Sequence, residues 1–122
     1  MNLIVFIHPE AGQCGAALRK AIRGLPEQVK TTWFSDFDKL EDQLNLPESF
    51  NSPQVYLLLM DTLESLETLS SMIPCFEDRR VLLVLPDQSP DTISRALKFR
   101  PRFFTGPSDQ FDDLCAVIKK LL

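Results

Sequence analysis

The stretch from Pro53 to Asp61 contains six consecutive apolar side chains, Val55 to Met60, followed by a carboxylate. The run is too short for a buried helix and lacks the polar alternation of a strand with one face in water. A strand that is apolar on both faces must be covered on both faces, as parallel strands between two helical layers are. The segment therefore predicts a central strand of an open α/β sheet. Such sheets bind ligands at the carboxyl ends of their strands, where Asp61 lies.

The remaining strands follow from two further apolar runs and two weaker ones. Leu3–Ile7 and Arg80–Leu85 repeat the pattern of a buried strand, whereas Gln28–Phe34 and Arg102–Thr105 fit edge strands. Five amphipathic segments alternate with these strands, and right-handed crossovers then favour a three-layer, doubly wound sandwich. We predict one domain over residues 1–122, an α/β (βα)₅ fold of flavodoxin-like architecture with a parallel sheet in the order 2-1-3-4-5.

The helix starts carry polar residues that are typical of N-caps, two of them in patterns similar to a capping box. In the third helix, Leu63, Leu66 and Leu69 share one face and are predicted to pack inward. The predicted cap residues are Ser35 for the second helix, Asp61 for the third, Ser89 with an N1 proline for the fourth, and Ser108 for the fifth.

Composition excludes several classes of function. The net charge is −4 and the isoelectric point about 4.9, so a nucleic-acid-binding surface is not expected. The first seven residues have neither the cationic start of a signal peptide nor the length of a membrane span. Three widely spaced cysteines show no metal-binding or redox motif, which predicts reduced thiols and a cytoplasmic location.

Three side chains are candidates for an anion or phosphate site at the carboxyl edge of the sheet: His8, Glu10 and Asp61. His8 is the only histidine, and it lies beside the turn into the first helix, whose backbone amides could receive an anion. The simpler interpretation of His8 is an exposed loop histidine, and that of Glu10 is a solvated turn residue. Asp61 is either a displaced phosphoacceptor or simply the N-cap of the third helix.

The loop Pro9–Cys14 raises a further alternative, a flavodoxin-like nucleotide binder. Gly12 and Gly15 would then let the backbone approach a phosphate. However, their spacing is that of neither a P-loop nor a dinucleotide fingerprint, hydroxyl side chains are lacking, and Glu10 would repel the anion.

The last third of the chain resembles the receiver domains of bacterial response regulators. The residues that carry the resemblance are the strand Arg80–Leu85 and the segment Thr92–Leu122. In the receiver pattern an Ala-Leu pair in the fourth helix, here Ala96-Leu97, precedes a short aromatic strand, a Lys-Pro step and a final helix with spaced leucines. The length and the (βα)₅ order match over the whole chain.

At the positions where receivers bind Mg²⁺ and phosphate, this chain has different residue types. Working receivers have an acidic pair after the first strand for Mg²⁺, a phosphoacceptor Asp after the third, Ser or Thr after the fourth, and Lys after the fifth. Without these groups Mg²⁺ has no ligands, and the charge that develops on a transferring phosphoryl group is not neutralised. The resemblance therefore implies a degenerate receiver that binds no metal or cofactor. The corresponding residues here are Phe6-Ile7-His8, Leu59, Leu85 or Pro86, and Gly106.

The resemblance implies a non-catalytic signal-transduction module of a two-component system. Such a module binds a protein partner or its own copy, and no enzyme activity is expected because no nucleophile–base pair is evident. Receivers meet partners through the surface formed by the fourth helix, fifth strand and fifth helix, although a solvated charged face would look the same. The candidate interface residues are Arg95, Lys98, Arg102, Phe103 and Asp109.

A second resemblance implies a different function. The mannose-type phosphotransferase IIA domain carries phosphate on a histidine at the end of its first strand and has Asp-Thr after its third, which match His8 and Asp61-Thr62. The match is short. That family has Thr-His-Gly where this chain has Ile7-His8-Pro9, and glycines where it has Leu63 and Glu64.

Overall fold

The computed structural model describes residues 2–8, 12–45, 54–77, 79–106 and 111–121. Five strands alternate with five α-helices, as predicted, and two short 3₁₀ helices lie at Ile73–Phe76 and Leu97–Phe99. The elements are β1 Asn2–Ile7, α1 Gly12–Arg23, β2 Lys30–Phe34, α2 Phe37–Leu44, β3 Gln54–Leu59, α3 Leu63–Ser70, β4 Arg80–Val84, α4 Pro90–Ala96, β5 Phe103–Thr105 and α5 Asp112–Lys120.

The strands form one parallel sheet in the order β2-β1-β3-β4-β5, which confirms the predicted flavodoxin-like topology. The three most apolar strands lie in the centre, while β2 and β5 form the edges. Ile7 pairs with Leu59, and Leu59 pairs with Val84, so the carboxyl ends of the central strands lie side by side. This register determines which side chains meet at the carboxyl edge.

The two faces of the sheet are buried in separate cores. On β1, Leu3, Val5 and Ile7 point to the face covered by α1 and α5, whereas Ile4 and Phe6 point to the face covered by α2, α3 and α4. Because helices cover both faces of the sheet, the central strands are apolar at consecutive positions rather than at alternate ones. Each leucine or isoleucine fully removed from water contributes about 1.5–3 kcal/mol before the entropic cost of ordering it.

The capping predictions are confirmed for α4 and wrong for α2 and α3. In α4 the Ser89 hydroxyl accepts from the Thr92 amide at 3.3 Å, with Pro90 at the first helical position. In α2 the N-cap is Asp36 rather than Ser35. In α3 it is Thr62 rather than Asp61. Adjacent polar residues compete for one cap position, and the tertiary path of the chain selects among them.

The later start of α3 also explains why the predicted inward position of Leu63 is wrong. Leu63 is the first residue of the helix and remains 46% exposed, whereas Leu66 and Leu69 are fully buried. In α5, which begins at Asp112, Phe111 precedes the helix without a side-chain cap. The predicted cap Ser108 lies outside the described residues.

The described residues contain no helix with the length and apolar character needed to cross a membrane. All three cysteines are half-buried and none forms a disulfide. Burial raises the pKa of the Cys115 thiol, and Asp112 adds to this shift while Lys119 opposes it. The thiol of Cys115 lies 3.7 Å from the Ala21 carbonyl oxygen, which joins α5 to α1.

Candidate functional site

The carboxyl edge of the sheet brings together two of the three candidate residues. His8 directly follows β1, and Asp61 follows β3 after Met60, whose amide donates to the Val84 carbonyl at 2.9 Å. Because β1 and β3 are neighbours in register, His8 and Asp61 extend from adjacent strand ends. The third candidate, Glu10, lies outside the described residues.

His8 and Asp61 are in contact. The imidazole Nδ1 lies 3.5 Å from Asp61 Oδ2, and the two side chains are 27% and 12% exposed. The His8 ring also packs against Phe37 of α2, with ring centroids 5.9 Å apart. A carboxylate at this distance can orient the imidazole ring.

Asp61 is also bound to the first turn of α3. The Ser65 hydroxyl donates to Asp61 Oδ1 at 2.7 Å, and the Thr62 hydroxyl donates to Ser65 Oγ at 3.2 Å. The Ser65 amide in turn donates to Thr62 Oγ1 at 3.1 Å. Both carboxylate oxygens of Asp61 therefore have partners within the fold, one in Ser65 and one in His8.

Two shallow clefts of about 290 and 420 Å³ flank His8 and Phe37, which line both of them. Among the described lining residues His8 is the sole basic side chain, while four carboxylates face the two clefts. This electrostatic environment disfavours a phosphate group. The first cleft is further lined by Asp61, Thr62, Glu64, Ser65 and Thr68, and the second by Ser35, Asp36 and Asp38.

The strand ends that the receiver resemblance singles out are apolar and buried. Phe6, Ile7 and Leu59 are each at most 3% exposed, and Leu59 points into the core beneath α1 and α5. Within the described residues, no three histidine, cysteine or carboxylate side chains converge as metal ligands would. Gly106 is buried, and the Gln88 side chain lies 2.7 Å from where a Cβ on Gly106 would stand.

The proposed nucleotide loop falls partly on α1. Gly12 to Cys14 form the first turn of that helix, and Gly12 has a φ of +61°, a backbone conformation that favours glycine. Gly15 is buried within α1 rather than exposed in a loop. Residues 9–11, which complete the predicted loop, lie outside the described part of the chain.

The described candidate interface residues lie on α4, on the 3₁₀ helix that follows it and at the start of β5. Arg95 of α4 forms ion pairs with Glu67 and Asp91, each at 3.3 Å. Lys98 and Arg102 are exposed, whereas Phe103 is half-buried against the core beneath α1 and α5. Asp109 lies outside the described residues.

Sequence reasoning missed the roles of Thr62 and Ser65. The signal for Thr62 was present, since a threonine directly before the first helical residue is a preferred N-cap. The chain matches no family model, no curated protein and no solved structure. Functional inference consequently depends on the fold and the geometry of its sites.

Proposed function

We propose that this chain is a receiver-like protein-interaction module that transmits a signal without phosphorylation of an aspartate. The flavodoxin-like fold and the receiver-like pattern of residues 80–122 support this proposal. The observation that carries it is the buried, apolar character of Phe6, Ile7 and Leu59 at the strand ends where phosphoryl transfer needs carboxylates. In this proposal the module works in the bacterial cytoplasm, a reducing compartment that suits its three unpaired cysteines.

Asp61 is poorly suited to replace the missing phosphoacceptor. Its oxygens accept from Ser65 and face His8, and Glu64 lines the same cleft. A phosphoryl group on Asp61 would break the Ser65 bond and add negative charge beside another carboxylate. Stabilising that charge requires a metal ion or a lysine nearby, as in other phosphoryl-transfer sites.

Intact-mass measurement after incubation with Mg²⁺ and acetyl phosphate tests the proposal. We expect no gain of one phosphate in the wild-type chain. Asp61→Asn is the diagnostic variant, and Asp36→Asn, which removes a carboxylate on the other side of His8, is the matched control. A phosphate adduct that persists in Asp36→Asn and disappears in Asp61→Asn would overturn the proposal.

This proposal includes an interaction surface on α4, β5 and α5 that binds either a protein partner or a second copy of the chain. Its proposed residues are Arg95, Lys98, Arg102, Phe103 and Asp109. Sedimentation of the purified chain distinguishes these occupants. A dimer that dissociates in Arg102→Glu but not in the α2 control Lys39→Glu assigns the surface to self-association. A monomer at all concentrations would contradict self-association.

One observation favours a second candidate, a phosphohistidine carrier that uses His8. The distance of 3.5 Å from His8 Nδ1 to Asp61 Oδ2 is suited to orienting the imidazole and making its other nitrogen more nucleophilic. In the transfer step, Nε2 would form a bond to phosphorus while the bond from phosphorus to the donor's leaving group breaks. The carboxylates that line both clefts weigh against this candidate.

Phosphoramidate, a small donor that modifies histidines, tests the second candidate. A mass gain of one phosphate that is stable to alkali, labile to acid and absent in His8→Gln would establish it. Asp61→Asn should then slow the modification without abolishing it, because Asp61 orients the ring but does not accept the phosphoryl group. No gain in the wild-type chain would contradict the carrier function.

A further inference from the structure

A cleft of about 430 Å³ opens at the amino edge of the sheet, opposite His8. It lies between the two 3₁₀ helices, on the side where β4 and β5 begin. Its volume is within the range of small-molecule sites in proteins. The cleft is lined by Ile73, Phe76, Glu77, Arg79, Lys98, Phe99 and Arg100.

The inner wall of the cleft is apolar and rigid. The rings of Phe76 and Phe99 lie with centroids 5.8 Å apart, and both side chains are almost fully buried. Ile73 packs against the same core. Buried aromatic rings present a fixed surface to which an apolar group can bind without ordering flexible side chains.

The rim of the cleft is predominantly cationic. Lys98 and Arg100 are exposed, and neither forms an ion pair with a carboxylate of the described residues. Arg79 is held in place by its bonds to the Tyr56 hydroxyl and the Leu44 carbonyl, both at 2.9 Å. Among the lining residues that the structure describes, Glu77 is the one carboxylate and Arg79, Lys98 and Arg100 are cations.

Arg100 occupies a backbone conformation that is unfavourable for arginine. Its φ of 52° and ψ of 53° place it in the left-handed region, and it is the only non-glycine with positive φ among the described residues. Its amide caps the preceding 3₁₀ helix by donating to the Leu97 carbonyl. Glycine adopts this conformation at a lower energetic cost than arginine, which points to a function for the Arg100 side chain.

We propose that this cleft binds a small organic anion with an aromatic or other apolar body. The anionic group would bind Lys98 and Arg100 at the rim, and the apolar body would rest against Phe76 and Phe99. An anion alone would lack the apolar contact, and an apolar cation would be repelled. The site lies apart from the carboxyl edge. Its Lys98 also belongs to the proposed interaction surface, whereas Arg100 does not.

The test is a titration of the ¹⁵N-labelled full chain, followed by amide chemical shifts, with three matched probes. 1-Naphthylacetate supplies both the ring and the charge, acetate only the charge, and 1-naphthylmethylamine the ring with the opposite charge. We expect saturable shifts at residues 73, 75–77 and 98–100 with 1-naphthylacetate only. The amides of His8 and Asp61 should stay unchanged.

Arg100→Gly separates binding from folding. Glycine relieves the left-handed backbone, so the variant should unfold at the same or higher denaturant concentration while its affinity for 1-naphthylacetate falls about fivefold to tenfold. Lys98→Gln should weaken binding by a similar factor, and the double variant should weaken it further. The charge-matched control is Lys20→Gln with Lys39→Gln, on α1 and α2, which should leave the affinity within about twofold.

Three results would overturn the proposal. One is the absence of saturable shifts at these residues up to about 10 mM 1-naphthylacetate. Another is equal binding of the naphthyl amine, which would show that the charge of the rim has no role. The third is unchanged affinity in the folded Lys98→Gln, Arg100→Gly double variant.

Discussion

The carboxyl and amino edges, at the two ends of the strands, differ in charge and in the hydrogen bonds that their polar side chains make. At the carboxyl edge Asp61 is bound to Ser65, four residues away in the chain, within the first turn of α3. At the amino edge Arg79 donates to the Leu44 carbonyl and the Tyr56 hydroxyl, 35 and 23 residues away. At the carboxyl edge Asp61 is bound within the start of α3 and contacts His8, whereas at the amino edge Arg79 connects the segment before β4 to α2 and β3.

A flavodoxin-like fold therefore does not guarantee ligand-binding side chains at the carboxyl ends of its strands. Parallel α/β sheets bind ligands at their carboxyl edge because the helix starts and connecting loops converge there. The described residues at that edge include no cluster of side chains that could hold a metal ion, and the hydroxyls of Thr62 and Ser65 bond within the start of α3. The amino edge instead combines an apolar wall with a cationic rim. Four predictions test this contrast.

The largest effect is expected from Arg79→Ala. The variant removes two hydrogen bonds from a charged donor and leaves the Leu44 carbonyl and the Tyr56 hydroxyl without this partner, so it should lower the free energy of unfolding by about 2–3 kcal/mol. Urea unfolding measures the change, and Arg23→Ala on the exposed face of α1 is the control. A loss below about 0.5 kcal/mol would show that the hydrogen bonds of Arg79 contribute little to the free energy of unfolding.

A smaller effect is expected from Ser65→Ala at the carboxyl edge. The substitution removes the hydroxyl that joins Asp61 to Thr62 but keeps the amide cap of α3, which predicts a loss of about 1–2 kcal/mol. Ser71→Ala, an exposed serine bonded to a backbone carbonyl of its own helix, is the control. If Asp61→Asn and Ser65→Ala proved additive in a double-mutant cycle, the bond between them would contribute nothing.

Gly106→Ala should cost less than about 1 kcal/mol. The new Cβ would collide with the end of the Gln88 side chain, which is exposed and can move aside. Combining the substitution with Gln88→Ala should recover most of the loss in thermal unfolding. A loss that Gln88→Ala does not reduce would mean that the backbone at this strand end is strained by the substitution.

The smallest effect concerns Asp87, in the loop between β4 and α4. Hydrogen bonds from the Thr92 side chain, and then from the Ser89 amide and hydroxyl, lower the pKa of the Asp87 carboxyl. Because the folded pKa is the lower one, this carboxylate stabilises the fold above its ordinary pKa, and the contribution is lost as the pH falls through the lowered value. Asp87→Asn should therefore reduce the acid-induced loss of stability. An unchanged pH profile of urea midpoints would contradict this.

The sequence was sufficient for the fold because its determinants are local. Uninterrupted apolar runs such as Val55–Met60 identify strands covered on both faces, and the ranking of these runs by apolar content places β1, β3 and β4 in the centre. The helix starts were less certain. Asp61 and Thr62 can both cap a helix, and only the tertiary path assigns the cap to Thr62.

The sites required the tertiary structure. His8 and Asp61 could each be placed after a strand, but their contact depends on the pairing of Ile7 with Leu59. The amino-edge cleft has no sequence signature, because Arg79 and Arg100 meet only where successive crossovers return the chain to the same edge. The elements and their order can be read from the chain because burial and periodicity act between near neighbours. Which distant charges share a surface depends on how the crossovers bring separate segments together.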